Sequence, residues 1–128
     1  MSKFALKKIK TIKGNQSFYD LEINGVGQFD SFSKEAAVQY ESELLTLNAR
    51  MDLVANLVRL PKQKFKDITP VKEQVKEYEF KTRHLRLYVT HIEKTGKVVI
   101  LGGYKNTQKK DFRRFRSLKK QYLKTLKK

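Results

Sequence analysis

The stretch from Leu85 to Gly102 alternates too regularly to be helical, and it carries its own turn. Successive strand side chains point to opposite faces, so Leu85, Leu87 and Val89 share one side and Arg86, Tyr88 and Thr90 the other. The first strand is expected over Leu85–Ile92, Glu93-Lys94-Thr95-Gly96 supplies a tight turn, and Lys97–Gly102 returns as a second strand. A further run at Gln74–Lys81 completes three adjacent antiparallel strands. The apolar set is expected to rest on a helix, which leaves Arg86, Tyr88 and Thr90 on the open side of the sheet.

The flanks add the other elements. Phe4, Leu6, Phe18, Leu21 and Ile23 predict an opening hairpin, Lys3–Thr11 and Ser17–Asn24, with a turn at Gly14-Asn15 and a close at Gly25-Val26-Gly27. The imperfect alternation at Lys7-Lys8 marks a bulge or an edge. From Phe29 to Leu60 apolar residues recur every three or four positions, the stripe of an amphipathic helix capped by Asp30, Ser31 or Ser33 and stopped by Pro61. One such helix would be about 45 Å long. A break near Thr46–Asn48, giving a helical hairpin, is therefore expected, with one long helix as the alternative. Lys62–Lys72 reads as a connector anchored by Phe65 and Ile68. A last helix, Lys110–Leu126, buries Phe112, Phe115, Leu118, Tyr122 and Leu126. The 128 residues form one α+β domain: a small antiparallel sheet, an N-terminal hairpin, one or two helices on one face and a basic C-terminal helix.

Charge narrows the partners. The formal net charge is +16, and residues 104–128 hold eleven Lys/Arg against one acid. Such a field attracts polyanions, nucleic acid first, and then acidic proteins or anionic membranes. No apolar run approaches the ~20 residues of a membrane span. With no cysteine there is no disulfide or thiolate metal site, and with only two histidines a zinc site is not expected. No cofactor is implied. The N-terminus lacks the apolar core of a signal peptide, so a cytoplasmic protein is expected.

Tyr78-Glu79-Phe80-Lys81, Leu85-Arg86-Leu87-Tyr88 and Val98-Val99-Ile100-Leu101-Gly102-Gly103-Tyr104-Lys105, followed by Thr107-Gln108-Lys109-Lys110, resemble the RelE-like toxins of bacterial toxin–antitoxin pairs. The likeness is greatest to their HigB-type, phage-derived branch and covers residues 60 to 128. Two positions depart from that branch: Lys81 stands in place of a frequent arginine, and Asn106 in place of a second lysine. The resemblance implies a RelE-like fold and metal-independent endonucleolytic cleavage of mRNA on the ribosome. Its partners would be that mRNA, ribosomal RNA and a cognate antitoxin, expected to be acidic.

In that reaction the ribose 2′-OH attacks the adjacent phosphate and the 5′-oxygen leaves. A base, an acid and cations for the phosphorane are needed. Arg86, mid-strand, is the expected phosphate clamp, because a guanidinium fork matches two phosphate oxygens. Lys105, Lys81 and His84 are the other catalytic candidates, with His84 or a lysine of depressed pKa as base. Arg83 shares the bend before the second strand. Tyr88 and Tyr104 are candidates to stack on bases, and Gln108, Lys109, Lys110, Arg113 and Arg114 to hold RNA, together with Arg116, Lys119 and Lys120 of the same helix. Bland roles compete: Arg86 as a solvated strand cation or partner of Glu79, Tyr104 as packing, Gln108 as a cap, His84 as a structural residue. Gly102-Gly103 lacks the spacing of a phosphate loop and reads as a strand exit needing positive φ or close backbone approach. A non-catalytic RNA- or ribosome-binding module remains the alternative. A DNA-binding protein is less favoured, for want of a recognition helix with base-reading residues on a neutral face.

Overall fold

The computed structural model describes residues 3–126. Alternation at Leu85–Ile92 produces the central strand β6, with those bounds, and its partner β7 spans Gly96–Tyr104. Around them lie β1 (Phe4–Lys8), β2 (Phe18–Ile23), β3 (Val26–Gly27), β4 (Phe65–Asp67) and β5 (Glu77–Lys81), with helices α1 (Gln28–Ala55) and α2 (Gln108–Leu126). The sheet runs β1-β2-β7-β6-β5-β4, and the two-residue β3 pairs with β2. The expectation of a purely antiparallel sheet is corrected at one junction. There β2 and β7 pair in parallel, joining the opening hairpin to the three-stranded meander in a mixed sheet of seven strands.

A second correction matters more for function: the open face is not open. Leu85, Leu87, Val89, Phe80 and Val99 pack under Phe32, Ala36, Leu47 and Met51 of α1. Tyr88, Val98, Ile100 and Leu101, on the other face, pack under Phe115, Leu118 and Tyr122 of α2. A bulge between Val99 and Leu101 of β7 turns both Ile100 and Leu101 toward α2. The helices thus take one face each. In α2 the expected stripe is buried at Phe115, Leu118 and Tyr122, half-buried at Phe112 and exposed at Leu126.

The long helix does not break at Thr46–Asn48. Its only non-helical residue is Tyr40 (φ −130°, ψ 38°), where the axis kinks. Nor does Pro61 end it. Leu57 adopts φ 65°, its N–H donates to Val54 O, and the Val58 N–H donates to Leu53 O. This paired closure satisfies the last carbonyls with leucine at a position glycine usually fills. At the other end the cap is Asp20 of β2, not Asp30, Ser31 or Ser33. Its carboxylate accepts the Phe29 and Asp30 N–H groups at 2.6 and 3.0 Å.

Gly102 is required by close approach rather than by positive φ. A Cβ there would lie 2.3 Å from the Phe32 ring. Gly102→Ala is therefore expected to cost about 1–3 kcal/mol through forced repacking, read as a lower urea midpoint with an unchanged slope. A variant as stable as wild type would show that Phe32 can move aside.

Candidate active site

The β5–β6 bend and the end of β7 meet at one end of the sheet, since Leu85 pairs with Tyr104. The Lys105 N–H donates to the His84 carbonyl at 2.9 Å, fastening the two corners together. Helix α1 closes the third side. Its Arg50 guanidinium donates to the Lys81 carbonyl, and its Glu43 carboxylate accepts from the Thr82 hydroxyl and, at 2.8 Å, from the His84 N–H. The helix thus adds to the bend's own bonds, in which the Thr82 N–H donates to the Leu85 carbonyl and the Leu85 N–H to the Thr82 hydroxyl, both at 3.1 Å.

Glu43 also holds the His84 ring, with Nδ1 2.7 Å from Oε2. With the Nδ1–H donated to Glu43, the neutral imidazole carries its lone pair on Nε2. The His84 side chain is 45% exposed, so the ring is accessible. Tyr40, at the kink, stacks on it with centroids 4.8 Å apart. Burial alone would raise the Glu43 carboxyl, yet bonds from Thr82 and from the His84 amide and ring hold it down at about 2, against an ordinary 4.5. A carboxyl depressed in the folded state adds stability above its unfolded value and loses it as pH falls. In the folded protein the Thr82 and His84 amide resonances are therefore expected to titrate only around pH 2 in wild type and not in Glu43→Gln. The same shift in both would place the transition elsewhere.

Beside the dyad lies a cavity of about 770 Å³ lined by Glu35, Ala36, Val38, Gln39, Tyr40, His84, Tyr104, Lys105 and Asn106. The Tyr104 ring packs on Phe32 and Tyr40 of α1, and its hydroxyl donates to Glu35 at 2.6 Å. Burial, then the Glu35 hydrogen bond and charge, push the phenol up to about 12. It is therefore a hydrogen-bond donor, not a phenolate, at neutral pH.

The predicted residues divide between two neighbourhoods. His84, Tyr104 and Lys105 line the cavity, and Arg83 is exposed next to His84. Lys81 and Gln108 instead meet at Glu79, a carboxylate 1% exposed: Lys81 Nζ lies 3.7 Å from it, and Gln108 Nε2 donates at 2.6 Å. Gln108 thus ties α2 to the sheet rather than capping the helix with its side chain. Lys109, Lys110, Arg113 and Arg114 are exposed along α2, which begins at the same end of the sheet.

Three expectations are corrected. Arg86 is 7% exposed, and its Nη1 donates to the Thr82 and Leu85 carbonyls at 2.6 and 2.8 Å, so it braces the bend and is not presented to phosphate. Tyr88 is fully buried, stacked on Phe115 and edge-on to Phe112, where no base can reach its ring. Burial first, then the Glu79 and Asp111 charges, raise its phenol far above the usual range. Lys119 is buried against Glu77, to which Arg116 also binds, so neither belongs to the free basic face.

Glu43, Tyr40 and Glu35 escaped the sequence reading. Tyr40 belongs to the apolar stripe of the helix and the two glutamates flank it, where such residues are unremarkable, and Glu43 is 41 residues from its histidine. Among the described residues there is no group of three or more His, Cys, Asp or Glu side chains able to hold a metal, and no helix long and apolar enough to cross a membrane. Comparison with protein families, curated proteins and solved structures finds no match.

Proposed function

We propose that the protein is an endoribonuclease of the RelE/HigB type that cleaves mRNA on the ribosome and is neutralised by a separate antitoxin. The observation that carries this reading is the Glu43–His84 dyad at the mouth of an aromatic cavity flanked by Arg83 and Lys105. His84 Nε2 takes the 2′-OH proton, O2′ forms a bond to phosphorus, and the P–O5′ bond breaks. The imidazolium, or a water it protonates, returns the proton to O5′, leaving a 2′,3′-cyclic phosphate and a 5′-hydroxyl. Glu43 orients the ring through Nδ1, as a carboxylate does for a catalytic histidine elsewhere. Arg83 and Lys105 face the developing phosphorane charge. Exposed Lys109, Lys110, Arg113 and Arg114 engage ribosomal RNA through salt-sensitive phosphate contacts.

The buried Arg86 favours the second reading, a non-catalytic RNA- or ribosome-binding module, because it removes the expected phosphate clamp. Expression in a bacterium, with primer extension on a translated mRNA, separates the two. Cleavage and growth arrest are expected from soluble wild-type protein. Soluble protein that binds ribosomes and cuts nothing would replace the nuclease by the binding module.

A further inference from the structure

The cavity beside the dyad contains a carboxylate that cleavage does not use. Glu35 is exposed on α1, and its hydrogen-bond partner is neutral: Oε2 accepts the Tyr104 hydroxyl at 2.6 Å. Among the described residues it joins no ion pair, although the chain carries a net charge of +16. A carboxylate repels phosphate, so a nucleotide entering here must turn a neutral, hydrogen-donating edge toward Glu35. The walls suit a base. Tyr40 and Tyr104 stand 6.1 Å apart and inclined at 49°, Ala36 and Val38 add apolar surface, and Gln39 and Asn106 add amides. Aromatic faces of this kind hold splayed bases by stacking.

We propose that this cavity is a base-reading subsite whose preferred occupant is guanine, recognised through Glu35. Guanine alone presents two adjacent donors, N1–H and the N2 amino group, on its Watson–Crick edge. A carboxylate has two oxygens and about four lone-pair sites, so it can accept both while Oε2 keeps its bond to Tyr104. Adenine and cytosine each offer one amino donor next to an acceptor nitrogen that faces the carboxylate unfavourably. Uracil offers one N–H between two carbonyls. The subsite adjoins the catalytic ring through the Tyr40–His84 stack, so a guanine seated here brings its own phosphate near Arg83, His84 and Lys105. Its role in selecting the cleavage position rests on the proposed nuclease activity, whereas its base preference does not.

The test titrates the full chain with 3′-GMP, 3′-AMP, 3′-CMP and 3′-UMP, following the Tyr40 and Tyr104 ring resonances. A bidentate base contact discriminates by about 1–3 kcal/mol, or roughly 5- to 150-fold in Kd, so 3′-GMP is expected to bind at least about fivefold tighter than the others. Glu35→Gln is expected to abolish the preference for 3′-GMP, and continued binding of the other three shows that the variant is folded. Equal binding of all four, binding of none, or a guanine preference that survives Glu35→Gln would each overturn the subsite. Cut sites mapped on a translated message provide the second arm. Cleavage with the same positional preference in wild type and Glu35→Gln would remove the subsite and leave the nuclease standing. Guanine-selective binding by a protein that cuts nothing would do the reverse.

Discussion

On the proposed nuclease reading, His84→Ala is expected to slow mRNA cleavage by about 10²–10⁴-fold, the usual contribution of one positioned acid–base group. Binding to ribosomes is expected to persist, because the exposed cations of α2 are untouched. The fold should persist too. Glu43 still accepts the Thr82 hydroxyl and the backbone N–H of residue 84 after the ring is lost. Glu43→Gln keeps the shape and removes the charge facing the imidazolium. Its amide nitrogen would face Nδ1 and move the ring proton to Nε2, so a loss of similar size, up to about 10⁴-fold, is expected. Primer extension on a translated message measures both rates, and circular dichroism checks folding. If folded His84→Ala cuts at the wild-type rate, the dyad is structural and the base lies elsewhere, with Lys105 the next candidate.

Glu77→Ala is expected to be the most destabilising of the charge changes, by about 3–5 kcal/mol. Glu77 and Lys119 are each 2% exposed, with Lys119 Nζ 2.8 Å from Oε2, and Arg116 Nε binds Oε1 at 3.1 Å. Truncating Glu77 leaves the Lys119 ammonium buried with the Val75 carbonyl, at 2.7 Å, as its close remaining acceptor. Against a typical folding stability of about 5–15 kcal/mol, that loss shows plainly in urea denaturation. Glu73 provides the contrast. It lies 3.8 Å from the same ammonium and is 39% exposed, so Glu73→Ala should fall within the ~0–1 kcal/mol of an exposed pair. Equal losses in the two variants would mean that Lys119 is not held mainly by Glu77.

Where a rule of local spacing applied, the fold was legible. Strand β6 has the predicted bounds, and Leu85, Leu87 and Val89 face a helix as their alternation requires. Alternation separates two faces, however, without saying what covers either. Arg86, Tyr88 and Thr90 looked solvent-facing because they include polar groups, yet all three are buried. Their setting comes from distant chain: Thr90 Oγ1 donates to the Lys76 carbonyl, Glu79 accepts from Gln108, and Tyr88 lies under Phe115. A polar residue can sit in a core whenever such partners reach it. The candidate site was half legible for the same reason. His84, Lys105 and Tyr104 stood out by residue type beside a bend and a glycine corner, whereas Glu43 became meaningful only when α1 was laid across that bend.

What the chain determined on its own is what depends on near neighbours: the strand periods, the stripes of the two helices, the turn at Glu93–Gly96 and the concentration of cations after Tyr104. Tertiary structure alone decided that α2 covers the second face, that β2 joins β7 in parallel, that α1 kinks at Tyr40, and that Glu43 meets His84. The division follows from range. Periodicity and turn chemistry act over a few residues and are written in order along the chain. A buried arginine or a carboxylate–histidine dyad depends on groups tens of residues apart, and only the packed fold brings them to hydrogen-bonding distance.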